Sequence, residues 1–222
     1  MEKPLKLPPT IMQRVMRFKA LKNEEGTLTL FGKPCLIMPI DTILYTMKLM
    51  ENELGVDKTK WIWYHVGKFQ AIAGFKMINE RFGYAKTLSE KKKLLDFNTG
   101  QTQILGLGAY TYRRMDFENN YFIGEGKSPF ADEYKKIFGI QKEPVDYFLN
   151  GACAGAVETT IEKEVVSIET KCAAQGKNVC QFVMRPANKW EKSDPWVKKN
   201  LILFQEAPTM RELGAKLKQF VV

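Results

Sequence analysis

The amino-acid sequence predicts an α+β fold in which an antiparallel sheet packs against a helical bundle. Segments with the apolar periodicity of helices and segments with the alternation of strands come in blocks along the chain, whereas an α/β protein would alternate them strictly. With 222 residues and 45% hydrophobic content, the chain is large enough to bury a sizeable core. No internal repeat or low-complexity segment interrupts it.

The first predicted elements are short. A basic amphipathic stretch covers residues 11–21, and a hairpin follows whose strands are residues 27–31 and 35–38. Asp41 is a good N-cap for a helix whose apolar stripe stops at Gly55.

Two longer helices come next. The first covers residues 57–83 and carries a face of small residues, Gly67, Ala71 and Gly74. Glycine inside a helix costs about 1 kcal/mol relative to alanine, so this face predicts close packing against another element. A second helix, over residues 87–105, opens with the Thr-x-x-Glu pattern of a capping box.

The second half of the chain mixes strands and helices. A helix is predicted from Pro144, with proline at its first position, to about Ile161, and its middle contains only small residues apart from Cys153. The other predicted elements are strands over 109–113 and 120–123, a short helix over 128–137, a hairpin of 164–170 with 179–184, and C-terminal helical pieces ending with 210–220.

Composition and charge exclude several classes of protein. The formal net charge of +9 is compatible with a nucleic-acid partner, but acidic residues are interspersed among the lysines, and no nucleic-acid-binding motif is present. No apolar run approaches the roughly 20 residues of a membrane span, and the N-terminal residues lack the apolar stretch of a secretory signal. We therefore expect a cytoplasmic protein with reduced thiols, without a membrane or nucleic-acid partner.

A cluster of potential metal ligands lies in the C-terminal third. Three of the four cysteines fall there, and the Glu-x-x-Cys-x7-Cys motif of Glu169, Cys172 and Cys180 suits two strands joined by a tight turn at Gly176. Carboxylate and thiolate groups are ligands that zinc prefers, and structural zinc sites are usually closed and four-coordinate. The motif predicts a structural zinc site, with Cys153 as the fourth ligand.

Two other interpretations of these cysteines stay open. Free cysteines are often small buried core residues. Alternatively, Cys172 and Cys180 face each other across the hairpin and form a disulfide under oxidation. Cys35 has no partner in the sequence and is interpreted as buried strand packing.

A ligand site is predicted on the 57–83 helix. His65 is the only histidine, and Trp61 lies four residues before it among further aromatic residues. Either these are structural residues, or His65 is a polar anchor and Trp61 a wall of an apolar pocket, since ligand sites combine apolar walls with few polar groups. Four other aromatic residues are candidates for a cavity lining, although core packing explains them equally well: Phe69, Phe75, Tyr110 and Tyr112.

The Gly-x-Cys-x-Gly motif over 151–155 and the Glu-x-x-Cys-x7-Cys motif over 169–180 resemble the vinyl-4-reductase domain family, of the archaeal stand-alone, hydrocarbon-binding type. The resemblance covers residues 60–186. It leaves residues 1–59 as an N-terminal hairpin and helix extension and residues 187–222 as a C-terminal helical extension.

This resemblance implies the ligand-binding fold that the family shares with nitric-oxide sensors and with subunits of a Golgi transport complex. Phenol-sensing members of the family hold a structural zinc beside a pocket for an aromatic molecule. The resemblance implies the same arrangement in this chain. Carried over by position, the zinc ligands are Cys153, Glu169, Cys172 and Cys180.

We expect a binding protein rather than an enzyme. A closed zinc site leaves no position for a reacting water, and no Ser-His-Asp set, dinucleotide fingerprint or phosphate loop is present. The expected partners are a small hydrophobic or aromatic molecule, a second copy of the chain and a separate effector protein. The alternatives are an accessory enzyme acting on a vinyl-bearing tetrapyrrole or other apolar metabolite, and a scaffold subunit without ligand.

Overall fold

The computed structural model describes residues 21–24, 26–30, 33–83, 85–208 and 212. Of the predicted elements, the amphipathic stretch over 11–21 and the last helix over 210–220 lie outside these residues, except for Leu21 and Glu212.

Two antiparallel sheets and six α-helices form the described part of the chain, and this confirms the α+β class. One sheet has the order β1-β2-β3 and the other the order β4-β5-β7-β6. The strands are β1 (Leu21–Glu24), β2 (Thr27–Leu30), β3 (Lys33–Pro34), β4 (Ala109–Asp116), β5 (Tyr121–Lys127), β6 (Val165–Lys171) and β7 (Cys180–Pro186).

The helices follow the predicted blocks, with three short 3-10 turns after β6, after β7 and near residue 201. None of the described helices is both long and apolar enough to cross a membrane. The helices are α1 (Ile40–Leu54), α2 (Val56–Phe82), α3 (Leu88–Ile104), α4 (Pro129–Phe138), α5 (Tyr147–Ile161) and α6 (Pro195–Lys199).

Two helix starts agree with the sequence and one does not. The capping box of α3 is present, and the Ser128 side chain caps α4. By contrast, α5 begins at Tyr147 rather than at Pro144, with Asp146 at the N-cap position. The Asp146 side chain makes no capping hydrogen bond, and its carboxylate accepts from the Ser128 hydroxyl instead.

The predicted strand over 35–38 is wrong. β3 ends at Pro34, after which only the Cys35 N–H donates to a strand, to the Leu28 carbonyl oxygen at 2.8 Å. Proline has no N–H for a sheet ladder, so strands commonly end at or beside it. The following Leu36 and Ile37 are 85% and 83% exposed, and Cys35 is half-buried rather than packed inside a sheet.

The close packing predicted from the small residues is found between α2 and α5. A Cβ at Gly67 would collide with the Phe148 carbonyl oxygen, and a Cβ at Gly151 would collide with the Tyr64 carbonyl oxygen. Gly74, in contrast, has no atom near its missing Cβ. The two helices therefore touch along the first half of α2 and separate along its second half.

The four-stranded sheet presents its inner face to α5. Residues alternate in burial along β7, where Cys180 and Phe182 are fully buried. Cys180 pairs with Gly126 of β5, and Gly126 pairs with Tyr110 of β4. Residues in one such row share a face of the sheet, so Tyr110 and Cys180 lie on the same face with only a glycine between them.

Candidate metal centre and ligand cavity

Four buried side chains converge where the start of α5 meets the β6–β7 hairpin. They are Asp146, Glu169, Cys172 and Cys180, and their ligand atoms all lie within 4.8 Å of one another. Asp146 precedes α5, Glu169 lies on β6, Cys172 lies in the turn and Cys180 begins β7. The structure thus brings together three of the four residues predicted as zinc ligands.

Cys153 is not part of this group, and Asp146 occupies the place predicted for it. Cys153 lies seven residues further along the chain in α5, which at 1.5 Å per residue amounts to about 10 Å along the helix axis. The sequence predicts a fourth cysteine, whereas the fold places a carboxylate at the helix start. The only sequence signal for Asp146 is its position before a helix, which is also typical of an ordinary N-cap.

The two carboxylates of the cluster are incompletely satisfied. The Asp146 N–H donates to Glu169 Oε2 at 3.1 Å, and the Ser128 hydroxyl donates to Asp146 Oδ1 at 2.8 Å. Asp146 Oδ2 and Glu169 Oε1 are buried without a hydrogen-bond partner among the described residues. Burial raises the pKa of Asp146 to about 7 and holds that of Glu169 well above its usual range. A cation between the carboxylates would relieve this burial of unpaired acidic oxygens.

The two thiols of the cluster, Cys172 and Cys180, have different hydrogen-bond partners. Their sulfur atoms lie 4.0 Å apart as free thiols, and the Ala173 N–H donates to Cys180 Sγ at 3.3 Å. Hydrogen bonds from the Cys180 thiol and from the backbone at Val145 and Ala174 lower the pKa of Cys172 to about 6, against the opposing effect of burial. The thiolate is the form of cysteine that binds metals.

The donor set of two cysteine sulfurs and two carboxyl groups fits zinc. Zinc accepts both kinds of ligand in a tetrahedral arrangement, whereas Mg²⁺ and Ca²⁺ prefer sites built from oxygen atoms alone. The residues present therefore suit the metal that the sequence predicted, with Asp146 in the set.

A cavity of about 570 Å³ opens beside this cluster, where α2 and α5 separate. Its walls come from the second half of α2, the second half of α3, β4 and the middle of α5, and the residues after β3 border it. The apolar lining includes Phe69, Ala73, Phe75, Met77, Ile78, Leu105, Leu107, Tyr110, Tyr112 and Leu149. All four aromatic candidates for a lining therefore border the cavity.

The polar residues that line the cavity, among them Asn98, Gln101, Thr102 and Tyr112, carry no charge. Burial and the nearby Cys153 raise the pKa of Tyr112, and a hydrogen bond with the Asn98 side chain partly counters this rise. Burial raises the pKa of Cys153 to about 12, which keeps this thiol protonated. No lining residue within the described part of the chain is an Asp, Glu, Lys, Arg or His.

Trp61 and His65, predicted as ligand-binding residues, do not line the cavity. Trp61 Nε1 donates to the Gln205 carbonyl oxygen at 3.3 Å, and His65 Nε2 lies 3.0 Å from the same oxygen. The two residues lie in the first half of α2, which packs against α5 and the C-terminal segment, while the cavity borders its second half. They hold the chain near residue 205 in place.

Comparison with solved structures first shows a shared fold. The fold matches the phenol-responsive sensory domain of the transcription activator PoxR with a TM-score of 0.73 and 17% identity, over 90% of this chain and 100% of that one. The chain therefore shares the overall α+β fold of that domain.

A family model matches part of the second half of the sequence. Residues 128–186 match the model of the vinyl-4-reductase domain, which confirms the resemblance to that family. The matched segment contains all four residues of the metal cluster.

Three further matches are weaker. The chain is 26% identical over 68 residues to the phenol regulator MopR of Acinetobacter guillouiae, a match that covers 31% of this chain and only 12% of MopR. A vinyl-4-reductase family protein of Methanocaldococcus jannaschii matches with a TM-score of 0.43, 15% identity, and coverage of 83% and 98% of the two chains. A trafficking protein particle complex subunit 3 of Naegleria fowleri, covalently bound to palmitic acid, matches with a TM-score of 0.49, 12% identity, and coverage of 66% and 91%.

Proposed function

We propose that this protein binds a small, neutral, hydrophobic or aromatic molecule in the cavity between α2, α3, β4 and α5. The observation that carries the proposal is the cavity itself, since about 570 Å³ with an apolar lining lies in the range of pockets that hold drug-sized ligands. The match to the vinyl-4-reductase domain and the phenol-related names of PoxR and MopR support a role in small-molecule binding.

The lining favours an uncharged ligand. A charged molecule would lose its hydration on entering and would find no opposite charge among the described lining residues, which is costly. Tyr112 with Asn98 supplies a hydrogen-bonding group inside the apolar wall. This combination suits a molecule with an aromatic body and one hydroxyl.

We further propose that zinc stabilises the hairpin beside the cavity, with Asp146, Glu169, Cys172 and Cys180 as its ligands. When bound, the metal would cross-link the start of α5 to the β6–β7 hairpin. Four protein ligands complete a tetrahedral site and leave no position for water, which supports binding rather than catalysis. Elemental analysis of the protein made without a metal-affinity tag should find about one zinc per chain.

The binding proposal is tested with a matched pair of ligands, 1-naphthol and naphthalene, by calorimetry and thermal shift. Both should bind the zinc-loaded protein and raise its melting temperature, by mass action. Tyr112→Phe should weaken 1-naphthol about fivefold, as expected for the loss of a hydrogen bond worth about 1 kcal/mol, and should leave naphthalene unchanged.

His65→Gln is the control, because His65 borders no part of the cavity. It should alter neither affinity. If neither ligand binds up to its solubility limit, the cavity does not serve aromatic molecules and a scaffold role gains support. Reduction of a vinyl compound by the pure protein would instead establish an enzyme.

We also propose that the protein acts in the cytoplasm as a homodimer and passes its signal to a separate effector. Two large apolar residues after β3, Leu36 and Ile37, are almost fully exposed, and Tyr45 on α1 is 64% exposed. Exposed apolar patches of this kind mark protein contacts. Native mass spectrometry should detect a dimer, and Ile37→Glu should convert it to a monomer.

A further inference from the structure

Tyr110 lies at the boundary between the cavity and the metal cluster. Its side chain lines the cavity, yet it pairs across Gly126 with Cys180 of the cluster. Burial raises the pKa of Tyr110 well above its usual range, and the nearby Asp146 and Cys180 add to this rise. One side chain thus borders both sites.

The hydroxyl end of Tyr110 faces polar groups of the cluster. The hydroxyl is buried and has no hydrogen-bond partner among the described residues, and the Ser128 side chain lies beside it. Ser128 in turn donates to Asp146 Oδ1 at 2.8 Å and accepts from the Ala131 N–H at 3.1 Å. A short polar path therefore leads from Asp146 through Ser128 to the wall of the cavity.

The ring of Tyr110 has little freedom to move. A Cβ at Gly108 would collide with the Tyr110 ring, and a Cβ at Gly126 would collide with the Tyr110 backbone. On another side the ring packs against Phe182, with 5.7 Å between the ring centroids. A close-packed side chain responds to a shift at one end by moving as a unit, so a change at the hydroxyl changes the cavity wall.

We propose that Tyr110 and Ser128 couple the two sites, so that metal at Asp146 raises the affinity of the cavity for its ligand. The coupling rests on the proposed function, because it needs both a bound metal and a bound aromatic molecule. A metal fixes the Asp146 carboxylate, Asp146 fixes the Ser128 hydroxyl, and Ser128 offers its oxygen to Tyr110. The aromatic wall is then held in one position before the ligand arrives, which lowers the cost of binding.

Thermodynamic linkage makes the effect reciprocal. If bound metal raises the affinity for the ligand by a certain factor, bound ligand raises the affinity for the metal by the same factor. Both directions are measurable with 1-naphthol as the probe. Zinc-loaded protein should bind 1-naphthol about fivefold more tightly or better than protein stripped with a chelator, since couplings between sites are typically about 5- to 150-fold. Near-ultraviolet circular dichroism establishes that the stripped protein is still folded.

The second measurement starts from loaded protein and does not depend on the stripped form. Transfer of zinc to a coloured chelator is followed with and without saturating 1-naphthol. The ligand should shift the transfer equilibrium toward the protein by the same factor, about fivefold or more.

Two tyrosines of one strand provide the variant and its control. Tyr110→Phe removes only the hydroxyl: it should keep zinc, and its zinc-loaded form should bind 1-naphthol no more tightly than its stripped form, so that the coupling factor falls to about one. Tyr112→Phe, two residues along the same face of β4, should weaken 1-naphthol and keep the coupling factor of the wild type.

The outcomes separate this inference from the proposed function. Tight 1-naphthol binding that is equal with and without zinc would overturn the coupling and leave the binding function standing. Full coupling in Tyr110→Phe would overturn the path through the hydroxyl. Absence of 1-naphthol binding in both forms would overturn the binding function and the coupling with it.

Discussion

The β6–β7 hairpin and the middle of α5 each hold a cysteine, fully buried at Cys172 and partly buried at Cys153, but they give its thiol opposite chemistry. At Cys172 a neighbouring thiol and two backbone groups lower the pKa to about 6. At Cys153 burial, with the nearby Asp146 and Glu169, raises the pKa to about 12. Desolvation raises the thiol pKa at both sites. The difference between the two pKa values therefore comes from the hydrogen-bond donors around each sulfur.

The same contrast separates the two regions as wholes. The hairpin end collects N–H and O–H donors, carboxylates and thiols in a small volume. The cavity end offers aromatic and aliphatic walls with few polar groups. Asp146 and Cys153 belong to the same segment of chain, and α5 thus connects a site suited to a cation with a site suited to a neutral molecule.

One substitution made at both cysteines tests this contrast most strongly. Cys172→Ala should abolish zinc binding and lower the free energy of unfolding by about 3 to 5 kcal/mol, the usual cost of removing one member of a buried ionic group. Cys153→Ala should keep zinc and cost about 1 kcal/mol, since it removes one buried sulfur beside a cavity. Elemental analysis and urea unfolding measure both effects. Equal effects would favour the interpretation of all these cysteines as core residues.

A second pair of substitutions tests where α2 and α5 separate. Gly67→Ala places a Cβ against the Phe148 carbonyl oxygen and should destabilise the protein by about 1 to 3 kcal/mol or more through overpacking. Gly74→Ala has open space and should be neutral or stabilising by up to about 1 kcal/mol, because alanine is the better helix former. Urea unfolding distinguishes them. A larger loss at Gly74 would contradict the separation of the two helices along the second half of α2.

The third test concerns Asp146, the carboxylate that lies in the buried cluster where the sequence predicted Cys153. Asp146→Asn should weaken zinc binding about 10- to 100-fold, in the range found when partners of a metal site are altered. Competition with a coloured chelator measures the loss. Asp132→Asn, in the first turn of α4 and exposed, is the control and should leave zinc affinity unchanged. If Cys153→Ala weakens zinc more than Asp146→Asn does, the ligand set expected from sequence is the better one.

Features that depend on one local pattern are predictable from the sequence. The Thr-x-x-Glu pattern at Thr87 and the serine at Ser128 are found as helix caps, and the small residues around Gly67 and Gly151 mark a close helix contact. Such features depend on neighbours in the chain or on the size of one side chain.

Sites formed where distant segments meet are not predictable from local patterns. Asp146 and Glu169 are 23 residues apart, and only the fold shows that their carboxylates share a site. His65 and Trp61 were assigned to the pocket because aromatic residues surround them in the sequence, but the helix turns them toward Gln205. Which face of a long helix meets a cavity depends on the elements packed around it, and these are not encoded near the residue itself.

The smallest expected effect is a change in the pH dependence of stability at His65, which lies outside the cavity. Burial, with the nearby Lys68, lowers the pKa of His65 below its ordinary value near 6.5. The folded state therefore favours neutral His65, and the unfolded state binds the proton more readily. This contribution to stability is complete above about pH 6.5 and is lost as the pH falls through the lower pKa of the folded state.

His65→Gln can still donate to the Gln205 carbonyl oxygen but does not titrate. Between about pH 7 and pH 5 it should lose less stability than the wild type, by a difference on the order of 1 kcal/mol or less. Loss of zinc at low pH affects both proteins alike, so the difference between their urea unfolding curves isolates His65.

Because His65 lies outside the cavity, 1-naphthol affinity at neutral pH should be the same in both. A parallel fall in stability for the two proteins would show that His65 is not the titrating group, and a change in 1-naphthol affinity would extend the cavity to the first half of α2.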